Sequence, residues 1–174
     1  MARPREVAPA PGANERRAAA ALLAATRWAS LATIADDGAP LATQVAYAMA
    51  PDGEALLLHL SLLAEHARNL DARPRASIVV AEPDSGDGDP QTLARVSLSG
   101  GVVLLEPGSA AHDIARAAYV RRFPAAEMRF GLGDFRLLRL EPLRGHLVGG
   151  FARARTLSRD DALAIVAAAR RAGD

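Results

Sequence analysis

The fold is decided by the stretch Glu54-Ala-Leu-Leu-Leu-His-Leu-Ser-Leu-Leu-Ala-Glu-His-Ala-Arg-Asn-Leu70, in which a short apolar run changes into a helical pattern. Residues 54–60 predict a buried strand, and Ser61 is a residue type that caps helices, so we predict a helix from Ser61 to about Asp71. A helix N-terminus at the end of a strand presents free backbone N–H groups and a positive dipole end, which suits a phosphate. The alternative is that Ser61 only caps the helix while the neighbouring leucines fill the core.

Turn signals on both sides of this stretch predict an antiparallel sheet of about six strands. Asp-Gly turns ending at Gly38 and Gly53 separate the apolar runs 28–35, 41–49 and 54–60, which predicts a three-stranded meander. Further strands are expected at 76–82 and 95–106, the second with a bulge or bend at Gly100-Gly101. A last hairpin, 135–140 and 143–151, is expected around Glu141-Pro142. Such a sheet removes its edges by closing, so we predict a mainly β fold with flanking helices, a small closed or partly split β-barrel.

The remaining chain predicts three more helices around this sheet. They are expected from Asn14 to Thr26, from Ser109 to about Arg122, and from Ser158 to about Arg171, each beginning at a residue that can cap it. Residues 1–13 are rich in proline, alanine and glycine and predict a loosely held arm. Residues 14–174 then form one domain, since the length suits a single core.

Composition excludes several classes of protein. The 174 residues carry a net charge of only +1, which argues against nucleic acid as the main partner. The chain has no cysteine and no lysine, so thiol chemistry, zinc–thiolate sites, Schiff-base lysines and P-loop lysines are excluded. No apolar run approaches the roughly 18 residues that a transmembrane helix needs. We therefore expect a cytoplasmic protein with no membrane partner.

Familiar catalytic and metal-binding motifs are missing from the sequence. Its four histidines lack metal-ligand spacing, and the acidic loop at residues 83–90 lacks the register of a calcium loop, so no metal site is predicted. No Gly-x-Ser-x-Gly elbow occurs, and Gly131-Leu-Gly133 is not completed to a dinucleotide fingerprint. We nominate no catalytic acid, base or nucleophile.

Five blocks in register resemble the FMN-binding split barrels related to pyridoxamine 5′-phosphate oxidase, and in particular their heme-utilisation branch. These blocks are residues 60–70, 71–77, 95–100, 133–140 and 148–154, within a span from about Ala18 to Ala154. The resemblance implies a six-stranded antiparallel split β-barrel. It also implies a homodimer that holds FMN in a cleft at the subunit interface, with a small molecule as substrate.

The resemblance also implies which residues contact FMN. One strand would run along the flavin ring, the end of the next strand and the following helix would hold ring and phosphate, a strand arginine would meet a polar edge of the ring, and a phenylalanine would close the cleft. The positions so implied are Thr43, Gln44, Val45, Ala46, Tyr47, His59, Leu60, Ser61, His66, Arg68, Asn69, Arg95 and Phe151.

Two departures from the family bear on the phosphate. Ala64 and Glu65 stand where the oxidases carry a serine and an arginine, so we expect the N–H groups of residues 61–63 and His66 to anchor the phosphate. The expected function is an FMN-dependent oxidoreductase of undetermined substrate. The first alternative is heme binding or degradation, with His66 or His146 approaching iron. The second is a flavin-binding protein without turnover.

Overall fold

A computed structural model describes residues 9–149 and 154–173 as a closed antiparallel barrel with flanking helices. Hydrogen bonds join the strands in the order β3-β2-β1-β4-β5-β6, and β3 pairs with β6 to close the barrel. A seventh strand extends the sheet beyond β6. The strands are β1 (Trp28–Ile34), β2 (Pro40–Met49), β3 (Leu56–Ser61), β4 (Arg75–Ala81), β5 (Arg95–Leu104), β6 (Phe135–Val148) and β7 (Ala154–Leu157).

The predicted six-stranded barrel is confirmed, together with the meander that begins it. Gly38 and Gly53 both have positive φ, and Asp37 and Asp52 each accept a hydrogen bond from the N–H two residues on, at 2.9 Å. These Asx turns reverse the chain between β1 and β2 and between β2 and β3. The seventh strand was not predicted, because its four residues give too short a pattern.

The predicted hairpin around Glu141-Pro142 is wrong, because β6 runs unbroken from Phe135 to Val148. The register against β5 shifts between Ser99 and Gly100, so that Ser99 faces Arg144 while Gly100 faces Pro142. Leu143 is the extra residue of this bulge. Strands tolerate proline at a bulge, which explains how Pro142 lies inside β6. A Cβ on Gly100 would lie 1.8 Å from the carbonyl oxygen of Glu141, so only glycine fits there.

Within the described residues, four helices flank the barrel: α1 (Ala13–Ala25), α2 (Glu65–Ala72), α3 (Ala110–Arg122) and α4 (Arg159–Gly173). The predicted caps of the last two are confirmed, since Ser109 Oγ accepts from His112 N at 3.1 Å and Ser158 Oγ accepts from Asp161 N at 3.1 Å. The cap of α1 is Gly12 and not Asn14. The arm predicted for residues 1–13 stays a prediction, because the structure describes only its last residues.

Apolar side chains form two separate cores. The first fills the barrel, and it includes Leu31, Leu56 and Ile78 together with Leu23 of α1 and Ile165 of α4. The second lies on the outer face of β3, where α3 and the 3₁₀ segment Pro124–Gly131 cover Leu57 and Leu137. Successive residues of β3 therefore point alternately into the two cores, which explains why this strand is apolar throughout.

Candidate functional site

The junction between β3 and α2, residues 61–65, differs from the expected helix cap. Ser61 is the last residue of β3, and α2 begins at Glu65 with Ala64 at the N-cap position and no side-chain cap. The prediction that Ser61 caps the helix is therefore wrong. Its hydroxyl donates to Asp134 Oδ2 at 2.6 Å and accepts from the N–H of Leu63 at 3.2 Å. We call residues 61–65 the β3–α2 corner.

Backbone N–H groups of this corner are already used within the chain. Leu62 N donates to Asp134 O at 2.7 Å, Leu63 N donates to Ser61 Oγ, and Ala64 N donates to Ser61 O at 3.0 Å. The sequence-based expectation was that the N–H groups of residues 61–63 would hold a phosphate. In this structure those of Leu62 and Leu63 have internal acceptors, so an anion could take them only by displacing existing hydrogen bonds.

Thr43 and His66, two of the residues expected at the flavin, contact each other, and their role at a ligand stays a prediction. Thr43 Oγ1 lies 3.0 Å from His66 Nδ1, and both side chains are partly buried. Burial lowers the pKa of His66 below its ordinary value of 6.5, so the imidazole is neutral at pH 7. Where Nδ1–H donates to Thr43 Oγ1, Nε2 keeps its lone pair and is able to bind a metal.

The charges beside His66 do not favour a dianion. Glu65 is exposed in the first turn of α2, where a carboxylate already complements the helix dipole. Arg68 folds back over the corner and donates to the carbonyl oxygen of Leu63 at 2.8 Å. The carboxylates of Glu65 and Asp134 lie at or against this corner together with the single guanidinium of Arg68, so no concentrated positive potential arises from the described residues there.

Several residues expected at the flavin point their side chains into the barrel. Val45, Tyr47 and Leu60 belong to the first core, and the Tyr47 hydroxyl donates to the carbonyl oxygen of Leu23 at 2.8 Å. Asn69 is buried and donates to Thr33 Oγ1 at 3.1 Å. A ligand outside the barrel would therefore meet only the backbone of these four residues.

Other expected site residues lie apart from the corner. Gln44 faces outward and donates to Ser30 Oγ at 3.0 Å, and Ala46 packs against the second core. Arg95 donates through Nη1 to the carbonyl oxygens of Gln91 and Leu93, both at 3.1 Å. The guanidinium is thus held by the loop before β5. Phe151 lies outside the described residues, and its role stays a prediction.

His59 is enclosed by aromatic rings of the second core. Its ring stacks on Phe130 at 3.9 Å between centroids and meets the edge of Tyr119 at 5.6 Å. Its Nδ1 is buried with no hydrogen-bond partner among the described residues. Desolvation, with the nearby positive charge of Arg129, lowers the pKa of His59 to about 4. The expected contact with a flavin ring would require Phe130 to move.

Two residues that shape this region were not predicted from the sequence. Asp134 joins β6 to the corner through Ser61 and Leu62, and Phe130 covers His59. Asp134 lies in the block 133–140 that carries the family resemblance, but no role was predicted for it. Phe130 carries no local signal, because its contact with His59 depends on how the 3₁₀ segment crosses β3.

The sequence pattern of the pyridoxamine 5′-phosphate oxidase family matches residues 16–149, which is most of the chain. This chain belongs to that family. The split-barrel fold of this family agrees with the closed barrel described above. The match also confirms the resemblance on which the split-barrel prediction rested.

Relatives that are similar to this family member are named as heme proteins. HutZ of Vibrio cholerae, a heme oxygenase, is 31% identical over 75% of this chain and 74% of its own length. HOZ of Arabidopsis thaliana, a non-canonical chloroplastic heme oxygenase, is 33% identical over 68% of this chain but only 34% of its own length. A heme-binding protein of Mycobacterium smegmatis has a TM-score of 0.76 and 32% identity, covering 94% of this chain and 62% of that protein. The expected heme-utilisation branch is confirmed, and the heme alternative is better supported than the flavin oxidoreductase.

The described helices do not have membrane-spanning character. Within residues 9–149 and 154–173, none combines the length and the apolarity that crossing a bilayer requires. The expected location in the cytoplasm stays a prediction.

Proposed function

We propose that this chain binds heme and takes part in heme breakdown. The observation that carries the proposal is its similarity to HutZ, a heme oxygenase, over three quarters of both chains. The β3–α2 corner agrees with it, because N–H groups there are engaged internally and Glu65 opposes a phosphate. The corner would offer a flavin phosphate few free hydrogen-bond donors and little positive charge, whereas heme iron needs chiefly a neutral imidazole.

His66 is the histidine that we propose as the iron ligand. Its contact with Thr43 orients the ring, as the second hydrogen bond of a metal-binding histidine does, and its lowered pKa keeps the ring unprotonated. His146 is the alternative, because it is exposed on β6 opposite Ser97. Heme would arrive as substrate or cargo and would supply the iron at which oxygen reacts. The chain would bind heme, orient it and shield one face.

The second candidate function is FMN binding, which the family membership favours. In that reading the Thr43–His66 pair would lie near the phosphate, and Arg68 would have to release the carbonyl oxygen of Leu63 to pair with it. Flavin would carry the electrons while the chain positioned the ring. Either reading leaves the substrate and the electron donor open.

We propose further that the functional unit is a homodimer. The outer face of β1 and its neighbours carries the exposed apolar side chains Trp28, Ile34 and Leu143. A shallow cavity of about 510 Å³ lies on this face, lined in part by Ile34, Ser77 and Leu143. Apolar side chains grouped on one face are typical of surfaces that pair.

The test of heme ligation is a hemin titration of the wild type and of two histidine variants. We expect a sharp Soret band that saturates at a fixed ratio of hemin to chain in the wild type and in His146→Ala. His66→Ala should lose the sharp band or shift it and weaken affinity by tenfold or more. If both variants keep the wild-type spectrum, His66 is not the ligand. If the wild type gives no saturable band, the heme proposal fails.

A further inference from the structure

We propose that a cavity on the outer face of the barrel binds a small anion between Arg75 of β4 and Arg144 of β6. It is the shallow cavity of about 510 Å³ on the face assigned to the homodimer, and we call it the sheet-face cavity. Its volume lies within the range of roughly 300 to 1,000 Å³ that is typical of small-molecule sites. The expected ligand carries phosphate or carboxylate groups on a compact apolar body.

Small side chains on adjacent strands form the floor of this cavity. Ala32 of β1 lies beside Ser77 of β4, and Ser77 lies beside Ser99 of β5. Ser99 in turn lies beside Arg144 of β6, next to the bulge at Gly100. Bulges are common beside ligand sites because they re-aim a neighbouring side chain. The depression left by these short side chains is also lined by larger apolar residues, Ile34, Pro40 and Leu143.

Both arginines of the sheet-face cavity lack a partner among the residues that the structure describes. Neither Arg75 nor Arg144 forms a hydrogen bond or an ion pair there. Arg73, two residues before Arg75, does have an acidic partner, since it meets Asp36 at 3.5 Å. No aspartate or glutamate lines the cavity, all of whose lining residues are described. The two guanidinium groups therefore offer unpaired positive charge to a ligand, and such groups bind carboxylate and phosphate well.

A pair of serines on the floor adds a hydrogen-bond donor. Ser99 Oγ donates to Ser77 Oγ at 2.9 Å. Two hydroxyl groups carry two hydrogens, and this contact uses only one of them. The other hydroxyl hydrogen has no acceptor within residues 9–149 and 154–173. An anion in the cavity would accept from this hydroxyl group as well as from the guanidinium groups.

The two guanidinium groups reach the cavity from different strands. Arg75 precedes Ser77 by two residues, so both side chains lie on the outer face of β4. Arg144 lies two strands away, because β5 separates β4 from β6. At about 4.8 Å between strands and 3.4 Å per residue, the Cα atoms of the two arginines lie roughly 12 Å apart. That spacing allows two long side chains to contact one small ligand.

The simplest alternative is that both arginines are ordinary solvated side chains. Both are exposed, and surface arginines commonly have no fixed partner. Solvation does not require two of them to line one cavity that lacks an acidic residue. A second alternative is that a carboxylate of a partner subunit occupies the cavity, since we assign this face to the homodimer. In either case a free anion would not stabilise the wild type.

The site is independent of the proposed iron ligands. Neither His66 nor His146 lines the sheet-face cavity, and all of its lining residues belong to one chain. The anion site therefore requires neither heme nor the homodimer. A failure of this proposal would leave both of the others standing, and the reverse also holds.

The test is thermal unfolding of the full chain with pyrophosphate or citrate, each compared with sodium chloride at matched ionic strength. We expect at least one of the two anions to raise Tm along a saturating curve, whereas chloride does not. Saturation by pyrophosphate alone indicates a phosphate ligand, and saturation by citrate alone indicates a carboxylate ligand. If neither anion stabilises the wild type beyond the salt control, the proposal is overturned.

Three variants then locate the anion. Arg75→Gln and Arg144→Gln should each raise the apparent Kd about tenfold, the effect of losing one charge-assisted hydrogen bond. Arg73→Gln removes the same charge two residues from Arg75 but outside the cavity, and should change the Kd by less than about twofold. Equal effects of Arg73→Gln and Arg75→Gln would mean that general positive charge, and not the cavity, accounts for the stabilisation. A wild-type Kd in both Arg75→Gln and Arg144→Gln would place the anion elsewhere and overturn the proposal.

Discussion

Burial of the His59 imidazole links the stability of the fold to pH. The free side chain titrates near 6.5, whereas burial, with Arg129 and His112 nearby, lowers the folded pKa to about 4. Between these pH values the unfolded chain binds the more protons, so the free energy of unfolding rises with pH across that window. This pKa shift corresponds to a contribution of about 3 kcal/mol to the free energy of unfolding. The contribution is present in full above pH 6.5 and is lost as the pH falls through 4.

We therefore expect urea unfolding to show a loss of up to about 3 kcal/mol between pH 7 and pH 4. His66 contributes part of this dependence of the free energy of unfolding on pH, because burial also lowers its pKa. His59→Phe keeps an aromatic ring against Phe130 and should flatten most of the pH dependence. His146→Gln, at an exposed position, should not change it. A His59→Phe variant with the wild-type slope would contradict the assignment to His59.

At the scale of single residues, some site residues were predicted from the sequence, whereas the role of Ser61 was not. Thr43 and His66 were both predicted as site residues, but their contact with each other was not predicted. The role of Ser61 was not predictable, because a serine at the end of a strand looks the same as a serine before a helix. Its partner, Asp134, lies 73 residues away and exists only once β6 has paired with β3.

At the scale of elements, the junction of β5 and β6 rests on Gly100. A side chain there would overlap the backbone of Glu141, whereas a Cβ on Gly101 would meet nothing within 4 Å. Gly100→Ala should cost about 3 kcal/mol or more, because the bulge or the barrel closure has to shift. Gly101→Ala is the matched control and should cost less than about 1 kcal/mol.

Denaturant unfolding of the two variants measures this difference directly. If both lose the same stability, the close approach of Gly100 to β6 is not what selects glycine. The bend at Gly100-Gly101 was predicted from the sequence, but the continuity of β6 was not. Pro142 resembles a turn residue in isolation, and only its place opposite Gly100, beside the bulge at Leu143, explains how a proline lies inside a strand.

At the scale of the whole molecule, the closure of the barrel was predictable from the sequence. Two Asp-Gly turns and a series of apolar runs were enough to predict a closed barrel, since an antiparallel sheet of this size closes to remove its edges. The content of the two cores was not predictable, because α3 and the 3₁₀ segment cover β3 by long-range packing.

We expect light scattering to give twice the mass of one chain at micromolar concentration. A stable homodimer interface would bury on the order of 1,600 Å² or more, and Ile34 lies on the face that we assign to it. Ile34→Glu should shift the protein to monomer, whereas Ile114→Glu, on the exposed surface of α3, should leave the dimer intact. A wild-type monomer would exclude the dimer, and dissociation by both variants or by neither would exclude this face.

The central claim, that the chain takes heme in preference to flavin, is tested most directly by a competition between the two followed in the visible spectrum. Purified protein would be saturated with FMN, separated from unbound flavin, and then titrated with hemin. We predict that little flavin is retained and that hemin produces a sharp Soret band saturating at a fixed ratio to chain. Stoichiometric retention of FMN, with no saturable Soret band at any hemin concentration, would contradict the account.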